Sequence, residues 1–149
     1  MANEVFATKS DPDQLDVDEH VIAHLKEIHP ATLSEMADDN GPAIWILLIP
    51  TTRVLMDRFI AKDITEQQLA DLTPVHSSYD AIYLCSAMVL EEYRHKGLAK
   101  KMTLEAVDKI RADHPIETLF VWPFTEEGNG LADSISKSAG LPLIKRQGH

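Results

Sequence analysis

The sequence predicts an α/β (α+β) fold, a mixed central sheet flanked by helices, in one domain spanning residues 1–149. Three observations predict it. Two apolar runs of strand length, Ala43–Ile49 and Ala81–Leu90, are continuous rather than alternating, as strands covered on both faces read. From residue 81 onward strand and helix patterns alternate, which requires right-handed crossovers and an at least partly parallel sheet. The chain has 149 residues, 44% of them hydrophobic, enough for one sizeable core without metal or disulfide staples.

The elements follow in order. Val21, Ile22, Leu25 and Ile28 recur at helical spacing behind Asp16 and Asp18, so Asp16–Ile28 reads as an amphipathic helix. Thr32 and Glu35 form a capping-box pattern that predicts a short helix to about Asp38, before Asn40, Gly41 and Pro42 break it. Ala43–Ile49 is an internal strand ended by Pro50. Thr52 caps a helix carrying Leu55, Met56, Phe59 and Ile60, and Thr65 with Gln68 opens another leading to Leu69 and Leu72. Ala81–Leu90 is the second long strand. Leu98–Ala112, with Leu98, Met102, Ala106 and Ile110 four apart, is the helix it feeds. Glu117–Trp122 reads as a strand stopped by Pro123, Asn129–Ala139 as a helix closed by Gly140, and Leu141–Lys145 as a last strand.

Composition narrows the function classes. A net charge of −10 argues against nucleic acid or an anionic membrane bound over the general surface, and mildly favours a cationic or amine partner. The lone Cys85 cannot form an internal disulfide and suits a reducing cytoplasm; its apolar strand neighbours mark it as core rather than nucleophile. No apolar stretch is long enough to span a bilayer as a helix, and no secretion signal is seen. His20 and His24 lie four apart with His29 nearby, but the zinc-protease pattern needs Glu where Val21 stands. They read as surface histidines, and no metal site is expected.

One segment carries chemistry. Between the long strand and its helix lies Glu91-Glu92-Tyr93-Arg94-His95-Lys96-Gly97-Leu98-Ala99-Lys100-Lys101, where an acidic chain turns locally basic. Unpaired N–H groups and the dipole of a helix start favour an anion, with phosphate the natural ligand. Gly97 allows close backbone approach and Ala99 keeps the first turn uncrowded. On these features alone, a phosphate site and a solvated helix start both stand.

Arg94, Gly97 and Ala99 after a strand resemble the R/Q-x-x-G-x-G/A signature of the GNAT acetyltransferases. Downstream, Asn129, Ala132, Ile135 and Gly140 keep the register of a second GNAT segment, in which an asparagine opens a helix that ends in Gly-Phe; here Leu141 follows the glycine. The resemblance covers residues 81–146 and leaves 1–80 as a divergent N-terminal half. It implies a GNAT-like sheet and acetyl-coenzyme A as cosubstrate. Arg94, His95, Lys96, Gly97, Leu98, Ala99 and Lys100 would then hold the pyrophosphate. Met88, Val89 and Leu90 would flank the pantetheine arm as an added strand does, an N–H near Leu90 would face the thioester oxyanion, and Asn129 would contact the arm. A neutral amine would attack the thioester directly, with one group taking the amine proton and another protonating the thiolate.

The departures from the family concern activity. Ser136 stands where many members place a tyrosine acid, and a serine is a far poorer acid than a phenol. Glu92 and Glu126, with Glu91 and Glu127 beside them, are the candidate bases at strand ends, and none is singled out. Trp45 and Trp122 read as core or cleft wall, and residues 122–128 as an acceptor-binding loop. The family's antiparallel hairpin before the coenzyme strand is expected to be replaced by helices. A last strand is expected to be missing, so the sheet is short there or a second subunit covers its edge in a homodimer. The expected function is acetyl-coenzyme A-dependent N-acetyl transfer to a small-molecule or protein amine in the cytoplasm. The alternative is a catalytically degenerate acyl-coenzyme A-binding or protein-interaction module.

Overall fold

The strand from Ala81 to Leu90 runs through the middle of the sheet, and the other elements are placed by what it pairs with. The computed structural model describes residues 2–4, 19–38, 41–90, 98–122 and 126–146. In chain order these form β1 (Ala2–Glu4), α1 (Glu19–Ile28), a 3₁₀ turn (Pro30–Thr32), β2 (Leu33–Asp38), β3 (Gly41–Thr51), α2 (Arg53–Ile60) and α3 (Glu66–Leu72). Then come β4 (Ala81–Leu90), α4 (Leu98–Asp113), β5 (Thr118–Val121), α5 (Glu126–Ala139) and β6 (Leu143–Lys145). The sheet order is β2-β3-β4-β5-β6, with β1 also paired to β4. The β2/β3 and β3/β4 pairs are antiparallel, whereas β4, β5 and β6 are parallel. The fold is therefore the mixed α+β class that the alternation of patterns predicts.

Ala81–Cys85 and Thr118–Trp122 are buried at every position, so the sheet is covered on both faces there, as continuous apolar runs require. Phe59 of α2 packs its ring against Tyr83 at 4.9 Å and against Phe120 and Trp122 at 6.0 Å each. Phe120 and Trp122 share a face by the two-residue period of a strand, and Tyr83 is the register partner of Phe120. One aromatic layer thus joins α2 to two strands.

Local signals fix most helix ends. Thr52 accepts the Leu55 N–H at 3.3 Å, and Thr65 with Gln68 makes both bonds of a capping box, at 3.1 and 2.9 Å. Gly140 closes α5 with φ 69°, and the N–H groups of Gly140 and Leu141 both reach the Ser136 carbonyl, at 3.0 and 3.2 Å. Pro50 lies within β3 rather than ending it. It falls beyond Leu47, the last β3 residue registered with β2, so among the described residues β3 has no partner strand on that side there, the setting in which a sheet tolerates proline.

Two expectations for the first half are overturned. Leu33–Asp38 is a strand, not a helix, and with β3 it forms the antiparallel hairpin expected to be replaced. The Thr32 hydroxyl accounts for the first difference. It donates back to the carbonyls of Leu25 at 3.1 Å and His29 at 2.9 Å, so it finishes the preceding helical turn instead of starting a new one. A capping bond contributes about 1 kcal/mol, less than a whole strand's pairing with β3. Helices α2 and α3 are an excursion between β3 and β4. Their connection returns to its origin, with Thr51 registered on Ala81, the Asp80 N–H on the Thr51 carbonyl at 3.1 Å, and the Arg53 N–H on the Asp80 carboxylate at 2.8 Å.

Since Phe59 anchors the aromatic layer from a fully buried position, Phe59→Ala is expected to cost about 3–5 kcal/mol. Urea unfolding measures it, and a loss below about 1 kcal/mol would show that α2 does not hold this face.

Candidate functional site

Parallel β4, β5 and β6 bring their carboxyl ends to one end of the sheet, and α4 and α5 start from there. Two helix starts therefore lie at the end where open α/β sheets bind ligands. Met88, Val89 and Leu90 are the last three residues of β4, and Leu98, Ala99 and Lys100 are the first turn of α4. Leu98 and Ala99 are half-buried against the core, and Thr103 Oγ1 donates to the Ala99 carbonyl at 2.7 Å, tightening that turn. Glu91, Glu92, Tyr93, Arg94, His95, Lys96 and Gly97 lie outside the described residues, as do 123–125 of the acceptor loop.

Helix α5 begins at Glu126, so Asn129 sits in its first turn, half-buried, rather than at its opening. Ser136 is at the other end of α5. Its hydroxyl donates to the Leu141 carbonyl at 2.5 Å, a bond that helps close the helix.

Beside the carboxyl ends of β5 and β6 is a buried polar cluster that sequence reading missed. Arg146 is 4% exposed, and its N–H bonds to the Val121 carbonyl at 2.9 Å. Its guanidinium lies 4.1 Å from the Trp122 ring centroid and 4.5 Å from that of Phe59, in the corner between two rings set at 76° to each other, a cation–π contact with both. Glu66, 2% exposed on α3, accepts the hydroxyl of fully buried Tyr83. Burial, and next the Glu66 charge, push the Tyr83 phenol well above its ordinary value, while the Arg146 charge opposes this. The hydroxyl therefore stays a donor. Nothing in the spacing of residues 66, 83 and 146 marks them as neighbours, because three separate elements carry them.

His24, His29 and His114 gather at the opposite end, by the starts of β4 and β5. His29 is buried, not on the surface as the helix pattern suggests. Its Nε2 pairs with Asp113 Oδ2 at 2.7 Å, and its Nδ1 accepts the Ala31 N–H at 3.0 Å. His114 packs on Tyr79 at 4.6 Å and on His29 at 5.8 Å; burial, then His29, lowers its pKa, and Asp113 opposes the shift. His24 Nε2 lies 3.1 Å from the Thr73 carbonyl. These contacts clasp α1, α3 and the end of α4. Among the described residues no group of His, Cys, Asp or Glu is placed to hold a metal ion.

A groove of about 800 Å³ runs along α4 beside β2. Leu33, Met36, Leu98 and Met102 line it with Lys101 and Glu105. Leu98, one of the expected coenzyme residues, lines it too. Cys85 is buried as expected, and no helix among the described residues is long and apolar enough to cross a membrane. Compared with protein-family models, curated proteins and solved structures, the chain matches none.

Tyr83→Phe removes a donor from the buried Glu66 carboxylate, an expected cost of about 1–3 kcal/mol near neutral pH. Folded Tyr83 keeps its proton where an unfolded tyrosine, with its ordinary value of 10.0, loses it. Its contribution is therefore full below that pH and is lost as pH rises beyond it. Urea unfolding carried into the alkaline range should show a shallower alkaline decline in the variant; an unchanged decline would contradict the assignment.

Proposed function

We propose that the chain binds acetyl-coenzyme A across the carboxyl end of β4 and the start of α4, and acts as a cytoplasmic N-acetyltransferase of the GNAT kind on a small-molecule or protein amine. One observation carries the reading. Parallel β5 is in register with β4 only from Ala81 to Leu84, so β4 runs on past its neighbour and leads directly to the basic segment Arg94–Lys101 at the start of a 16-residue helix. A helix start behind a glycine, at the carboxyl end of a long parallel strand, suits a pyrophosphate.

The residues would divide the work by position. Backbone amides from Arg94 to Ala99 hold the phosphates, with Lys96 and Lys100 adding charge. Residues 88–90 present their backbone to the pantetheine arm, and Asn129 meets the arm from α5. When bound, the thioester supplies an activated acetyl group. The chain supplies orientation, an N–H near Leu90 for the developing oxyanion, and a carboxylate, Glu92 or Glu126, to take the amine proton. The net charge of −10 suits a cationic acceptor. The single buried cysteine fits a reducing cytoplasm. β2 and β6 are the outer strands of the sheet, and a homodimer through either would cover its edge.

Ser136 favours a second reading. Its hydroxyl is spent on the Leu141 carbonyl, and a serine is a poor acid for a thiolate in any case. A domain that keeps the coenzyme but not the chemistry would serve as an acyl-coenzyme A-binding or protein-interaction module.

Acetyl-coenzyme A at a hundred times its dissociation constant is expected to stabilise the chain by about 2.7 kcal/mol, readily seen as a thermal shift. Gly97→Trp should abolish the shift by filling the space the phosphates need. A chain that shows no shift is not a coenzyme A protein of either kind. Where binding is present, thiol release across a panel of amines separates the enzyme from the module.

A further inference from the structure

Helix α4 has 16 residues, so its axis is about 24 Å long. Lys101, Glu105, Lys109 and Asp113 stand on it four residues apart. A step of four residues advances about 40° around a helix, so these charges lie within an arc of about 120° on one face. All of them are exposed, and all line the groove that α4 forms with β2. Asp113 keeps 62% of its side chain exposed while its Oδ2 is held by His29, so the carboxylate is anchored where solvent still reaches it. Beside the charges the groove is apolar, with half-buried Leu98 and Met102 of α4 and Leu33 and Met36 of β2 packed on the core along its walls. An apolar strip bordered by charge has the layout of an interface core and its rim.

We propose that the groove along α4 is the docking surface for a second copy of this chain, with the two α4 helices antiparallel about a two-fold axis at the height of Val107. The pattern of charge selects that occupant. Along the helix the signs run plus, minus, plus, minus, and the same stripe read backwards is its complement. Val107 is midway between Lys101 and Asp113 and midway between Glu105 and Lys109. A two-fold axis at its height therefore sets Lys101 level with Asp113 of the partner subunit and Glu105 level with Lys109 of the partner subunit, and symmetry makes each pair twice. Met102 and Ala112 are also equidistant from Val107, so a long apolar side chain meets a small one. A parallel copy in register sets like charges level with each other, which opposes that arrangement. The net charge of −10 makes two copies repel over most approaches, whereas this stripe, with two lysines and two acids, is neutral. Methionine on both walls of the groove, unbranched and adaptable, suits the fit to a helix. Nothing here depends on the coenzyme site, and the contact is made by a helix face rather than by the outer edges of the sheet.

Two single substitutions in the full chain provide the test. Glu105→Lys sets lysine against lysine at both central pairs, and Lys109→Glu sets glutamate against glutamate. Sedimentation equilibrium is expected to show the wild type as a dimer at about 100 μM. Each variant alone should dimerise with a dissociation constant at least about tenfold higher. Mixed one to one, the two variants meet with opposite charges at both central pairs, and the wild-type affinity should return. Charges four apart also pair along a single helix, but those pairs do not change on mixing, so recovery reports a contact between chains. Both positions are exposed, and far-UV circular dichroism checks that each variant is folded. A wild type that is monomeric at this concentration overturns the inference. So does a dimer that both variants leave unchanged, since the copies then meet elsewhere, and so does a mixture that dissociates as readily as its components.

Discussion

The hydrogen-bonding sides of β4 are the constraint on which the rest of the structure depends. One side is filled along almost its whole length by β3, from Thr51 opposite Ala81 to Ile44 opposite Val89. The other is filled in pieces, by β5 at its start and β1 at its end. A buried backbone group without a partner costs as much as a lost hydrogen bond, so a strand in this position dictates what lies beside it. The direction of β4 sets α4 down with its amino end at the carboxyl end of the parallel strands. Each later element follows from the same direction, since the parallel crossovers return α5 and β6 in step.

Charge inside the core is the second constraint. Burying Arg146 and Glu66 costs several kcal/mol each before compensation, and the compensation comes from distant parts of the chain. Aromatic faces of Trp122 and Phe59 receive the guanidinium, and the Tyr83 hydroxyl donates to the carboxylate. Such a cluster is satisfied only when α2, α3, β4, β5 and the segment after β6 are all in place together. The opposite end of the sheet is tied by His29, Asp113, Thr32 and Tyr79, and their hydrogen bonds are all turned inward on neighbouring elements.

Legibility in the sequence followed the range of each signal. Thr52, Thr65 with Gln68, and Gly140 cap helices as read, because each acts on backbone within a few residues of itself. The runs 43–49 and 81–90 read as buried strands because they are too apolar for a surface loop and too short for most helices. Thr32 misled because its hydroxyl had two local uses, forward to a new helix or back to the old one, and only the presence of β3 decided between them. His29 misled likewise: its place beside α1 is local information, but its burial depends on Asp113, far along the chain.

For the candidate site, the sequence by itself determined that a long apolar strand leads through a basic, glycine-containing turn into an amphipathic helix. Composition, periodicity and one glycine suffice for that, since all three act along the chain. Only the tertiary structure decided what lies beside that strand. It showed that β5 stops short of the strand's end and that three residues from the far N-terminus lie along it. It also placed Arg146, Glu66 and Tyr83 in one buried cluster near the carboxyl ends of β5 and β6. Strand neighbours and buried partners are chosen by the competition of the whole chain for hydrogen bonds and apolar cover. That competition leaves no mark in any short stretch of residues.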